Sequence, residues 1–163
     1  MKTLLLMRHA HAGGKKPGQS DFDRPLDPLG RRAAAAMGQR LLRENLMPDF
    51  IVSSAASRAQ ETARLVAETC PAPPTLVCSP ELYSAAPEGY LQILQEACGQ
   101  QSTVLLVGHN PTMETLVAKF TGRCQPLAPA ALAHLCLDIS HWRHLHLNCP
   151  AELLHLWLAD LTS

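Results

Sequence analysis

The chain has 163 residues, of which 47% are hydrophobic and 17% charged, and its 14 basic and 14 acidic side chains cancel to a formal charge of zero. That length suits one domain with a core of its own. The neutral balance excludes the global field that draws proteins to nucleic acid or membrane surfaces, so any affinity for anions must come from a local cluster of arginine and histidine.

Aromatic residues are few, leaving leucine, alanine and valine to fill the core. The six cysteines (Cys70, Cys78, Cys98, Cys124, Cys136, Cys149) include no CxxC pair, which argues against a zinc ribbon or a thioredoxin-like motif. Reduced, core-filling thiols are expected. No run approaches the ~20 apolar residues of a membrane helix, and Arg8 interrupts the first apolar run too early for a secretory signal. The expectation is a single cytoplasmic domain over residues 1–163.

Thr3-Leu4-Leu5-Leu6-Met7 is an apolar run of strand length that ends abruptly in Arg8-His9. A loop rich in Gly, Lys, Asp and Pro follows from Gly13 to Leu26, long enough to be functional in a compact domain. Asp27-Pro28 reads as an N-cap with proline at the first helical position. The helix it opens runs to about Glu44, with Leu29, Ala33, Met37, Leu41 and Leu42 along one face. Phe50-Ile51-Val52 is a second strand, breaking into Ser53-Ser54-Ala55-Ala56-Ser57-Arg58. Ser57 with Gln60 matches a capping box, which puts Arg58 in the first turn of a helix ending near Cys70.

Pro71 to Pro74 close that helix, and Thr75 to Cys78 read as an edge strand. Ser79 to Ala86 form a loop, and Pro87 opens a helix closing near Gly99. Thr103-Val104-Leu105-Leu106-Val107 is a continuous apolar run suited to a central parallel strand, and it stops at Gly108-His109-Asn110-Pro111. Asn110-Pro111 repeats the pattern of cap and first-turn proline, for a helix that stops at Gly122. Ala131 to Asp138 read as a strand, His141 to Leu145 as a turn or short helix, and Glu152 to Ala159 as a strand of poor alternation. The alternating order gives a three-layer α/β/α architecture with a mainly parallel central sheet.

Three strand ends therefore carry related chemistry: Arg8-His9, Arg58 and His109. In a parallel sheet these ends share one edge, where ligands bind. Two guanidiniums and two imidazoles there form a site for a tetrahedral oxyanion such as phosphate, because the planar fork of arginine donates two hydrogen bonds to adjacent oxygens. Arg58 adds the positive end of its helix. One imidazole can attack phosphorus while the other holds an equatorial oxygen.

Leu6-Met7-Arg8-His9-Ala10, the Ser53–Ala63 stretch with Arg58 at its centre, and Val107-Gly108-His109-Asn110-Pro111 resemble the histidine phosphatase superfamily, the phosphoglycerate-mutase-like fold. The Arg24-to-Gly30 stretch and Glu81-Leu82-Tyr83 look most like its small SixA-type phosphohistidine phosphatases. The resemblance implies His9 as a transiently phosphorylated nucleophile, Arg8, Arg58 and His109 as the phosphate pocket, and no metal or organic cofactor. Alanine stands at position 10 where the family commonly has glycine, a mild change that bears on the freedom of the turn. The general acid of larger members falls near Ser84 in this chain, with Glu81 and Glu88 flanking it as candidates.

Each candidate also has a plainer reading as a strand-end pair, a solvated first-turn arginine or a cap; their joint occurrence at three strand ends favours the site. Arg24 either reaches the pocket or pairs with Asp21 or Asp23, and His11 is a secondary candidate for substrate contact. His134, His141, His144, His146 and His155 fit no standard metal spacing. An alkyl phosphate must expel an alkoxide and needs an acid, whereas phosphohistidine expels imidazole, whose conjugate acid has a pKa of ~6.5. The expected activity is hydrolysis of phosphohistidine on a protein, such as a histidine-containing phosphotransfer domain. A small-molecule phosphomonoesterase using Glu81 or Glu88, and a phosphate-binding module without turnover, are the alternatives.

Overall fold

A computed structural model of the chain describes residues 1–161; the last two residues of the expected 1–163 domain lie outside them. Among the described residues, strands β1 (Lys2–Arg8), β2 (Phe50–Ser54), β3 (Thr75–Ser79), β4 (Thr103–Gly108), β5 (Leu132–Leu137) and β6 (Ala151–Trp157) form one sheet in the order β3-β2-β4-β1-β5-β6. β3, β2, β4 and β1 are mutually parallel, while β5 runs against both β1 and β6. Helices α1 (Pro28–Arg43), α2 (Ser57–Ala67), α3 (Pro87–Ala97) and α4 (Thr112–Thr121) fill the crossovers after the first four strands.

Because side chains alternate across a strand, each inner strand feeds two cores. Leu5, Met7, Ile51, Leu105 and Val107 pack with the alanines and Met37 of α1 and with α2. Leu4, Leu6, Val52, Val104 and Leu106 pack on the opposite face with Leu91 and Leu94 of α3 and Leu116 and Val117 of α4. The layers are thus α1 and α2, then the sheet, then α3 and α4, and β4 holds the central parallel position its sequence indicates.

Asp27 caps α1 through Oδ1, which accepts from Gly30 N at 2.7 Å, with Pro28 in the first turn. The inward face differs from the expected leucine stripe. Leu29 and Leu42 are exposed, and Gly30, Ala34 and Gly38 join Ala33, Met37 and Leu41 inside. Close approach is the reason: a Cβ on Gly30 would lie 1.9 Å from the His11 carbonyl oxygen, and one on Gly38 would lie 2.7 Å from Thr69 Oγ1. The Gly30→Ala variant is therefore expected to lose about 3 kcal/mol of stability, because the obstacle is backbone and cannot rotate away. Urea denaturation beside wild type measures it, and a loss below about 0.5 kcal/mol would show that α1 shifts freely.

Two expected caps form differently. Ala56, not Ser57, is the N-cap of α2 and no side chain caps it; the Ser57 N–H donates instead to the Phe22 carbonyl of the long loop at 2.9 Å. α2 ends at Ala67, short of Cys70. In α4 the cap position is Pro111, and the Asn110 amide turns away to Glu114 Oε1 and the Leu127 carbonyl. The predicted 79–86 loop contains a 3-10 turn, Pro80–Tyr83, and Trp142–His144 form another. β3 and β6 are the sheet edges. The poor alternation of β6 comes from a register irregularity that leaves Leu154 and His155 both exposed. All six cysteines are free; Cys98 and Cys149 are buried as expected of core fillers, but Cys124 is exposed. Among the described residues no helix is long and apolar enough to cross a membrane.

Candidate active site

The parallel register brings the chemistry together. Arg8 is level with Gly108 across β1 and β4, so His9 and His109 leave neighbouring strands side by side, with ring centroids 5.1 Å apart. β2 lies on the other side of β4 and delivers Arg58 from the first turn of α2. Arg8, His9, Arg58 and His109 line one pocket of about 470 Å³, with His11, Ala12, Asp21, Arg24, Tyr83, Asn110 and Pro129 completing its wall.

The geometry fixes which nitrogen of His9 carries its proton. Nδ1 lies 2.7 Å from the Ala10 carbonyl, which can only accept, so Nδ1 donates. Arg58 Nε, which can only donate, lies 3.3 Å from Nε2. The ring is therefore neutral, with the Nε2 lone pair facing the guanidinium. The peptide that holds it is itself pinned: Ala10 N donates to Thr62 Oγ1 at 3.0 Å, and that hydroxyl donates to the Arg58 carbonyl at 2.7 Å. Alanine at position 10 is a mild change, since the turn does not require a positive φ there. It is fully buried, and among the described residues only Asn45 and Ala130 take positive φ without being glycine.

Arg58 is almost fully buried, and three of its five N–H donors have partners. Besides His9, it donates from Nη1 to the Asp21 carbonyl at 2.7 Å and from Nη2 to Asp21 Oδ2 at 2.9 Å. Arg8 donates from Nη1 to the Leu127 carbonyl at 3.0 Å, whereas its Nε is buried without a hydrogen-bond partner among the described residues. His109 Nε2 lies 2.8 Å from Ser54 Oγ, which also accepts from Ala56 N. The backbone N–H of His109 donates to Tyr90 Oη at 3.3 Å, and Gly108 admits that ring, since a Cβ there would come within 2.6 Å of it.

A family model described as the histidine phosphatase superfamily (branch 1) matches residues 4–82. An uncharacterised protein of Mycobacterium tuberculosis is 31% identical over 156 residues, which span 89% of this chain and 95% of that protein. This chain belongs to the histidine phosphatase superfamily. Among solved structures, a candidate phosphohistidine phosphatase SixA of Nakamurella multipartitia superposes with a TM-score of 0.83 at 30% identity, covering 97% of this chain and 96% of that one. A protein histidine phosphatase SixA complexed with tungstate shares the fold with a TM-score of 0.79 at 23% identity, covering 96% of this chain and 97% of the other.

Neither glutamate offered as a general acid reaches this pocket. Glu81, Ser84 and Glu88 are exposed and do not line the pocket. Among the described residues, the carboxylate that does line it is Asp21, which sequence reasoning considered only as a partner for Arg24. Asp21 Oδ2 accepts from Tyr83 Oη at 2.6 Å, and Oδ1 accepts from Arg24 Nη2 at 3.0 Å and Nε at 3.2 Å. The Tyr83 hydroxyl first, and then the charge and hydrogen bonds of Arg58 and Arg24, pull its pKa down to about 2. Both readings of Arg24 hold together: it lines the pocket and it pairs with Asp21, while Asp23 accepts from Ser20. His11 lines the pocket too, paired with the capping Asp27. Tyr83, Asn110 and Pro129 were also missed; Tyr83 stood in a motif that resembled the family but carried no chemical signal of its own. His134 and His155 lie apart, their rings stacked near Trp157, and His141 meets His144 edge to edge.

Burial, reinforced by the charges of His109, Arg58 and Arg8, lowers the His9 pKa to about 3. Burial, with Arg58 and Arg8, lowers that of His109 to about 4, Asp21 opposing. In the unfolded chain both would titrate near 6.5. Between these limits the unfolded chain binds protons that the folded one refuses, so stability rises with pH and is lost as pH falls from about 6.5 toward 4. The expected loss is roughly 2 kcal/mol per histidine by about pH 4.5. Urea denaturation across this range should show a visibly shallower loss for His109→Gln; identical slopes would mean that His109 is not held neutral.

Proposed function

We propose that this chain is a phosphohistidine phosphatase acting on phosphorylated protein, with His9 as nucleophile. Neutral His9 Nε2 attacks the phosphorus of a substrate whose ring is protonated on its other nitrogen, the bond between phosphorus and the substrate's ring nitrogen breaks, and its electron pair neutralises the ring, which departs as imidazole. Water then attacks the phosphorylated His9 and releases inorganic phosphate. Arg8, with its unpartnered Nε, and Arg58 supply donors for the equatorial oxygens, and catalysis is mostly positioning and charge neutralisation. With Ser54 donating to His109 Nε2, the Nδ1–H of His109 is left for a phosphoryl oxygen. No metal or organic cofactor enters this scheme.

The state of Asp21 carries the choice of substrate. The carboxylate that lines the pocket is held as an anion, so it has no proton to give an alkoxide at neutral pH. Glu81 and Glu88 stand outside. A leaving imidazole needs no such donor: with the substrate ring already protonated on its other nitrogen it departs neutral, and its conjugate acid, with a pKa of ~6.5, is a far stronger acid than an alcohol. The similarity to the Nakamurella SixA structure points the same way.

The test compares release of phosphate from a phosphohistidine-bearing phosphotransfer domain with release from a sugar phosphate. Phosphohistidine is expected to turn over at least about 100-fold faster in kcat/KM. Faster hydrolysis of the sugar phosphate would overturn the reading in favour of a small-molecule esterase. Tight binding of the phosphoprotein with no turnover would indicate a binding module.

A further inference from the structure

An anion pocket is an odd place for a carboxylate. Three guanidiniums, those of Arg8, Arg24 and Arg58, share this pocket with the single carboxylate of Asp21 among its described lining residues. Orienting Arg58 does not require the side chain, since the Asp21 main-chain carbonyl already accepts from Nη1 at 2.7 Å. The carboxylate lies one guanidinium away from the nucleophile: Arg58 donates from Nε to His9 and from Nη2 to Asp21 Oδ2.

The Asp21–Arg24 ion pair is also the open part of the network. The side chain of Asp21 is 42% exposed and that of Arg24 is 25% exposed, against 7% for Arg58. A pair this accessible is worth at most about 1 kcal/mol and separates easily. Once separated, it offers a cation and an anion next to each other. A phosphate ester, negative only, can use one half. A phosphohistidine protonated on its second ring nitrogen carries both signs: a phosphoryl anion and an imidazolium N–H.

We propose that the Asp21–Arg24 pair is the element that selects a zwitterionic phosphoimidazolium over phosphate esters, a role that rests on the phosphohistidine reading above. Arg24 moves its donors from Asp21 Oδ1 to a phosphoryl oxygen, and the freed Oδ1 accepts the ring N–H of the substrate. No proton is transferred. When His9 Nε2 bonds to phosphorus, the electron pair of the broken P–N bond neutralises the ring, which departs as imidazole with its N–H still on. The carboxylate thus favours the protonated, more reactive substrate and opposes a leaving group that departs as an anion.

The experiment measures kcat/KM of wild type, Asp21→Asn and Asp21→Glu on phosphoimidazole and on p-nitrophenyl phosphate, whose leaving group departs as a stable anion. Asp21→Asn is expected to lower the ratio of the two by about 10-fold or more, and Asp21→Glu to restore much of the ratio. Equal losses on both substrates, or an unchanged ratio, would reduce Asp21 to holding Arg58 and overturn the proposal. Thermal unfolding of both variants identifies any loss of fold, and Asp21→Glu, which keeps the charge, then decides. A wild-type enzyme active on the aryl phosphate but not on phosphoimidazole would instead refute the substrate reading itself, and this role with it.

Discussion

Replacing His9 with alanine is expected to lower kcat about 10⁴-fold or more, because the groups around the proposed nucleophile cannot take its place. The fold should survive. His9 follows β1 rather than belonging to it, and the strand is anchored by Leu4, Leu5, Leu6 and Met7, all fully buried. Ala10, which makes the next turn, is held by Thr62 and does not depend on the imidazole. The variant should also lose the phosphorylated intermediate, which in wild type is trapped by rapid quenching and recognised by the acid lability of a phosphorus–nitrogen bond. The direction of attack is set by the two contacts that fix the tautomer, Nδ1 to Ala10 and Nε2 to Arg58. Retention of a tenth of wild-type turnover by His9→Ala would remove His9 from the nucleophile's role.

The site was legible where the sequence states it locally. Each of β1, β2 and β4 is an apolar run that ends in arginine, histidine, serine or glycine, and parallel pairing then carries those ends to one edge without further information. The long 13–26 loop was recognised as a feature but not placed. It folds over the start of α2, where Phe22 accepts from Ser57 and Asp21 takes hold of Arg58. Nothing local distinguishes Asp21 from Asp23 in that loop; only the tertiary path puts one in the pocket and leaves the other with Ser20. The same path explains the failed capping box, because the Phe22 carbonyl of that loop takes the Ser57 N–H that the Gln60 side chain would accept in such a box. The inward face of α1 was misread for a related reason. Periodicity counted Leu29 and Leu42 as core, but the helix approaches its neighbours through Gly30 and Gly38, whose value lies in the side chain they lack.

Arg58→Lys keeps the positive charge and is nevertheless expected to lower kcat/KM by about 10² to 10³-fold, the range for losing one transition-state donor in a pre-organised site. Arg58 serves three acceptors in three directions through one planar group: His9 Nε2, the Asp21 carbonyl and Asp21 Oδ2. A lysine ammonium has three donors but no rigid fork, and it cannot span from the nucleophile to the loop. Two further consequences follow from the same contacts. Arg58 is one of the charges that keep His9 neutral, and lysine preserves that electrostatic effect only in part, so the pH profile should change less than the rate does. The loop should also lose its grip, because the hydrogen bonds of Arg58 to Asp21 would leave Ser57–Phe22 among the remaining ties between that loop and α2. Limited proteolysis should then cut between Gly13 and Leu26 faster in the variant than in wild type. Steady-state kinetics separate the possibilities: a loss below about threefold would mean that charge alone suffices, whereas the expected loss in both kcat and kcat/KM would identify the fork as part of the transition-state pocket.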